Sequence, residues 1–200
     1  MENTAVSERY LCRHGLSLYI ETQRHKVLFD MGPDASFLEN AKRLGVDISQ
    51  VDFTEYKQVR VASAEASSVI QQDNGAVNTP MMMFDENIET NWQEGVDGPG
   101  LGEWVDAKFS QESGIKYLTF KLGNWKTSRY YYGNNKPSKM TITVGEFSQQ
   151  IEFPDEWTEF CLEFSRPCQA DGIYMTIDEV YPGTDWDDTC ITDMRVFAEE

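Results

Sequence analysis

Gly172-Ile-Tyr-Met-Thr-Ile-Asp-Glu-Val180, then Tyr181-Pro182-Gly183-Thr184-Asp185-Trp186-Asp187-Asp188-Thr189, then Cys190-Ile-Thr-Asp-Met-Arg-Val-Phe197 run on without a gap near the end of the chain. The outer two stretches interleave β-branched and aromatic residues with polar ones, as half-buried strands do. Pro182 and Gly183 interrupt them, so the whole reads strand, turn, strand. Working backwards, the same pattern recurs. Residues 58–64, 103–109, 117–122, 139–144, 149–153 and 158–164 read as strands. Asp97-Gly98-Pro99-Gly100, Gly123-Asn124 and Gly133-Asn134-Asn135 read as the turns between them. No amphipathic helix is expected after Asp52. Short strands at such spacing predict a mainly β fold, a sandwich or a barrel.

Composition narrows the function. The 200 residues hold 34 acids and 17 bases, a net charge of −17. That opposes binding to nucleic-acid phosphates and to anionic lipid. An apolar fraction of 40% with 12% aromatics is too high for a disordered chain. No apolar run reaches the ~20 residues of a membrane span. The first thirty residues lack a basic start followed by an apolar core. As given, this points to a cytoplasmic chain and leaves an extracellular one open. Cys12, Cys161, Cys168 and Cys190 form no CxxC pair, so a zinc ribbon is excluded. They read as buried free thiols, with a Cys161–Cys168 pair across a turn as the alternative.

All five tryptophans and most of the acids follow Asp52, which sets a boundary between residues 1–52 and 53–200. In the first part Leu16-Ser-Leu-Tyr-Ile-Glu-Thr22 and Lys26-Val-Leu-Phe-Asp30 read as a hairpin. Asp34 then caps a helix that carries Phe37, Leu38, Ala41 and Leu44 and ends at Gly45. So few apolar positions cannot bury a core alone. The segment must lean on the second part, on a protein partner or on another copy of itself.

Three stretches of the second part carry chemistry. Asp85-Glu-Asn-Ile-Glu-Thr-Asn-Trp92 is a tight polar loop whose oxygens suit a hard cation; an Asx turn without metal explains it equally. Residues 108–139 hold seven bases and one acid, whereas residues 146–200 hold fifteen acids and two bases. Within the basic stretch, Tyr130, Tyr131 and Tyr132 are consecutive. In an extended chain neighbours alternate faces, so at least one ring is expected in solvent. Exposed rings beside amides and a guanidinium suit sugar recognition: the ring packs on C–H faces while Asn and Arg bond hydroxyls. A protein interface or an internal pairing with the acidic half are the alternatives. Asp185, Asp187 and Asp188 repel one another unless a base, a metal or backbone N–H groups compensate. They are adjacent on one loop rather than across a cleft, which argues against a glycosidase pair.

Two family resemblances add to this. Glu2-Asn3-Thr4, His14-Gly15-Leu16-Ser17-Leu18-Tyr19-Ile20-Glu21 and Val27-Leu28-Phe29-Asp30-Met31-Gly32 resemble the opening of metallo-β-lactamase-fold hydrolases. The histidine cluster that holds the metals of that family is missing; only His14 and His25 exist. A truncated segment without metal chemistry is implied. Phe84–Trp92, Gly95–Trp104, Asn124–Pro137 and Tyr181–Ile191 resemble the discoidin-like, galactose-binding-like jelly roll, in particular the glycan-binding module found beside bacterial NAD glycohydrolases. That resemblance implies a jelly-roll β-sandwich that binds a carbohydrate through loops at one end and is not an enzyme. The candidate contacts are Trp125, Arg129, Tyr130, Tyr131, Asn134 and Asn135. It also implies a structural calcium, with Asp85, Asn87, Thr90 and Asp193 as ligands. Assembly through protein contacts, with the hairpin pairing to another chain, or service as an accessory domain of a hydrolase, is the rival expectation.

Overall fold

The computed structural model describes residues 18–21, 26–29, 42 and 56–199. The chain divides into two compact units, residues 1–54 and 55–200. In the first, strands β1 (Leu18–Glu21) and β2 (Lys26–Phe29) pair antiparallel, with Leu18 opposite Phe29. The expected helix from Asp34 to Gly45, apart from Lys42, lies outside the described residues, as do His14, His25 and Asp30.

The second unit contains strands β3 (Tyr56–Gln58), β4 (Val61–Ala66), β5 (Trp92–Gln93), β6 (Trp104–Leu122), β7 (Lys136–Val144), β8 (Phe147–Glu152), β9 (Phe160–Tyr181) and β10 (Cys190–Glu199). A 3₁₀ turn covers Pro80–Phe84, and one short helix, α1, covers Ser128–Gly133. The sheet order is β3-β10-β6-β9-β7-β8, with β4 added on β6 and β5 on β10, all antiparallel.

The longest strands, β6 and β9, are what make two layers. Their mutual register shifts between Lys108 and Ser113 and again between Ile115 and Tyr117. Such bulges bend a strand. Before the bend, β6 pairs with β4 and with the second half of β9; that half pairs in turn with β7, and β7 with β8. After it, β6 pairs with β10 and with the first half of β9. The inward faces interlock. Met140, Ile142, Val144, Ile177 and Val105 come from one layer, Leu118, Phe120, Met194 and Val196 from the other, and all are fully buried in one cluster. Alternation along β7 is clean: Met140, Ile142 and Val144 point in, Thr141 and Thr143 point out. This is a mainly β sandwich, one of the two architectures the strand pattern predicts and of the discoidin-like kind the resemblance implies.

Several boundaries differ from expectation. Residues 103–109 and 117–122 are one strand, as are 158–164 and 172–180, because the polar stretches between them bulge without leaving the sheet. Residues 58–64 instead split into β3 on β10 and β4 on β6. The three tyrosines lie on α1, not on an extended segment. Cys161 and Cys168 share strand β9 seven positions apart, beyond the ~7 Å Cα reach of a disulfide, and are free thiols.

Candidate functional site

The loops following β5, β6 and β9 are knitted together at one end of the sandwich. Glu94 is the central clamp. It is fully buried, and its carboxylate accepts the Thr189 and Val96 N–H groups at 2.9 Å each. Burial raises its pKa above the usual carboxylate range, as it does for Asp188. Thr189 Oγ1 donates in turn to the Pro99 carbonyl at 2.8 Å. Asn135 joins the third loop: its amide nitrogen donates to the Asp187 carbonyl, and its amide oxygen accepts the Gly183 N–H at 2.7 Å. Asn134 donates to the Tyr130 carbonyl at 2.9 Å. Both asparagines are buried. These bonds position the rim: both ends of the Asn135 amide and the amide nitrogen of Asn134 serve the backbone of neighbouring segments.

Thr127 opens α1, its hydroxyl accepting the Tyr130 N–H at 3.2 Å. The helix turns the three rings in different directions. Tyr131 is buried, stacked on Trp157 with centroids 4.7 Å apart at 9°, and Lys136 Nζ sits 4.8 Å over its ring. Burial pushes its hydroxyl up to about 12. Its ring is thus inside the rim, beneath Trp157, rather than open to solvent. Tyr130 and Tyr132 are exposed, at 38% and 57%. Tyr130 lies against Trp186 at 5.6 Å, and the Arg129 guanidinium lies 5.7 Å from the same indole. Among the described residues no carboxylate forms an ion pair with Arg129. Tyr132 meets Trp157 edge-on at 6.1 Å, and Trp157 is itself 41% exposed. Trp125 is half-buried, its indole N–H bonded to the Leu122 carbonyl at 2.8 Å, its ring edge-on to Trp157.

The rim thus has two aromatic platforms on either side of α1: Tyr130 with Trp186 and Arg129, and Tyr132 with Trp157. Sequence reading passed over Tyr132, Trp157 and Trp186 as contacts. The available signal was Trp157 in the polar turn Pro154-Asp155-Glu156, where an apolar ring has no core to enter. The aspartates of the 185–188 cluster receive no ion pair from the basic loop among the described residues; Asn135 bonds the backbone carbonyls of Asp187 and Asp188 instead.

The residues expected to hold calcium each have partners within the protein. Asp85 accepts the Asn87 N–H at 3.0 Å and the Thr90 hydroxyl at 2.8 Å, and Asn87 accepts the Glu89 N–H at 3.1 Å. This is an Asx turn closed on itself. Asp193 is buried and paired with Lys121 at 2.8 Å, which supplies the positive charge; its other oxygen has no partner. Among the described residues no three His, Cys, Asp or Glu side chains cluster as a metal site.

A sandwich of this topology with ligand-sized loops at one end belongs to the F5/8 type C class. The chain is a member of the family "NAD glycohydrolase translocation F5/8 type C domain", whose model matches residues 55–197. No curated protein matches the chain. Among solved structures, the family 32 carbohydrate-binding module of C. perfringens NanJ in complex with galactose is similar at 15% identity and TM-score 0.54, over 72% of this chain and 99% of that one. The CBM32 of AlyQ in complex with 4,5-unsaturated mannuronic acid is similar at 15% identity and TM-score 0.51, over 70% of this chain and 98% of that one. At such identity the likeness speaks for the fold. The metallo-β-lactamase resemblance of residues 1–52 has no counterpart in the matched family, which begins at residue 55.

Proposed function

We propose that residues 55–200 form a non-catalytic carbohydrate-binding module whose ligand rests on the rim around α1. The observation that carries this reading is the exposure of Tyr132 and Trp157, packed edge to face against each other on the rim. Folding leaves large ring faces in water only at a cost, about 25 cal/mol per Å² of apolar surface. Sugar C–H faces cover such rings, and Arg129 with Asp185 supplies donors and acceptors for hydroxyls. The galactose and uronate complexes of the similar folds support the reading.

The test is a glycan-array and thermal-shift screen of the whole chain, repeated with Tyr132→Ala and Trp157→Ala. A sugar that raises the melting temperature of the parent and fails with both variants supports the rim. Binding that ignores both substitutions overturns it.

A second reading, contact with a protein, is favoured by one observation. Val96 and Leu101, on the loop clamped by Glu94, are 39% and 56% exposed. Leu101→Asp would abolish such an association and leave sugar binding intact.

A further inference from the structure

The outer face of the β6-β9-β7-β8 layer presents two cross-strand rows. One runs Asp106, Tyr174, Thr143, Ser148; the other runs Trp104, Thr176, Thr141, Gln150. Residues paired across strands share a face, so the register alone fixes these rows. Tyr174 and Trp104 stack diagonally between them, centroids 5.6 Å apart at 26°. Tyr174 is 38% exposed and Trp104 half-buried. Beside the aromatic pair the face carries the hydroxyls of Thr141, Thr143, Ser148 and Thr176, the Gln150 amide, and the carboxylates of Asp106 and Asp178. Thr143 and Ser148 hydroxyls lie 2.8 Å apart.

We infer that this face is a second binding surface, separate from the rim, for an extended neutral glycan chain. Three features choose that occupant. First, the bordering charges are already engaged: Lys108 pairs with Asp106 at 3.1 Å, and Asp178 accepts from Thr141 at 2.8 Å and Gln150 at 3.1 Å. Exposed acids border the face, among them Glu65 on β4 and Glu152 on β8, and together with the net charge of −17 they repel a polyanion. Second, a stacked pair of rings flanked by hydroxyls offers C–H/π contact and hydrogen bonds in the proportions a neutral sugar needs. Third, the face is a sheet surface, not a pocket. Each sugar ring gains little there, so affinity must accumulate over several linked rings.

The experiment is amide chemical-shift mapping of the whole chain, titrated with neutral linear oligosaccharides of glucose, mannose, xylose and galactose, each beside its monosaccharide. The expected result is shifts at Tyr174, Thr176, Thr141 and Thr143 with one oligosaccharide and none at those positions with its monosaccharide. Tyr174→Ala is expected to weaken that oligosaccharide about fivefold or more, while Tyr132→Ala leaves this component unchanged. Shifts confined to α1, Trp157 and Trp186 overturn the sheet-face site and leave the rim reading standing. Unchanged affinity in a folded Tyr174→Ala protein overturns it as well. Should that variant fail to fold, mapping on the parent chain and the milder Thr143→Val decide.

Discussion

Glu94 shows how one side chain can set the behaviour of three loops. Its two backbone acceptances join the turn after β5 to the segment entering β10. Replacing it with alanine leaves the buried Thr189 N–H and the partly buried Val96 N–H without their acceptor and opens a cavity, and is expected to cost about 2–5 kcal/mol, read from chemical denaturation. Its raised pKa has a sign. The folded state holds the proton more tightly than the unfolded one, so stability falls as pH rises from the ordinary carboxylate range through the native value. Asp188 acts in the same direction. Glu159 acts oppositely: burial raises its pKa, but the Arg195 hydrogen bond and its other partners outweigh that and leave it lowered, so its contribution is lost on stronger acidification. The melting temperature is therefore expected to rise from neutral to mildly acidic pH and fall below the carboxylate range. Glu94→Gln should flatten the rising limb. A second residue-scale expectation concerns Asp85. Alanine there removes the Asx-turn acceptor and should cost about 1 kcal/mol. If the Asx turn alone closes this loop, EDTA leaves the melting temperature of the parent unmoved; an EDTA-induced drop favours the calcium expectation instead.

At the scale of elements, α1 is held by fit as much as by hydrogen bonds. A Cβ on Gly133 would lie 2.6 Å from the Trp186 ring, closer than side chains tolerate. Gly133→Ala should push Trp186 off Tyr130, shift tryptophan fluorescence and weaken any rim ligand, with little change in far-UV circular dichroism. A helix of six residues is too short to display a 3.6 period, which is why the tyrosine run looked extended in sequence. The strand β7 was legible because Met140, Ile142 and Val144 alternate with threonines over a full face. The unity of β6 was not, since Ser110-Gln111-Glu112-Ser113 looks like a loop and only pairing with β9 keeps it in the sheet. Asn134 and Asn135 were read as ligand contacts because asparagine serves ligands and backbone equally; residue type alone cannot separate the two uses. Arg129 and Tyr130 lie together against Trp186 on the rim, with Tyr130 exposed.

At the scale of the molecule, the negative charge is spread over a sandwich whose ion pairs are mostly at its surface. Self-repulsion opposes the compact state, and salt screens it over about 8–10 Å. The melting temperature is expected to rise between low and physiological ionic strength; a fall would mean the surface pairs outweigh the repulsion.

Because β6 and β9 each run through both layers, neither layer has a strand set of its own to keep when the other opens. Tearing β10 from β6 loosens the same backbone that β4 grips. Deeply protected amides on either side, such as those of Leu118 and Ile142, should exchange with deuterium at one common free energy, rising and falling together as denaturant is added. Two separate isotherms would mean that the bends act as hinges between independently melting halves.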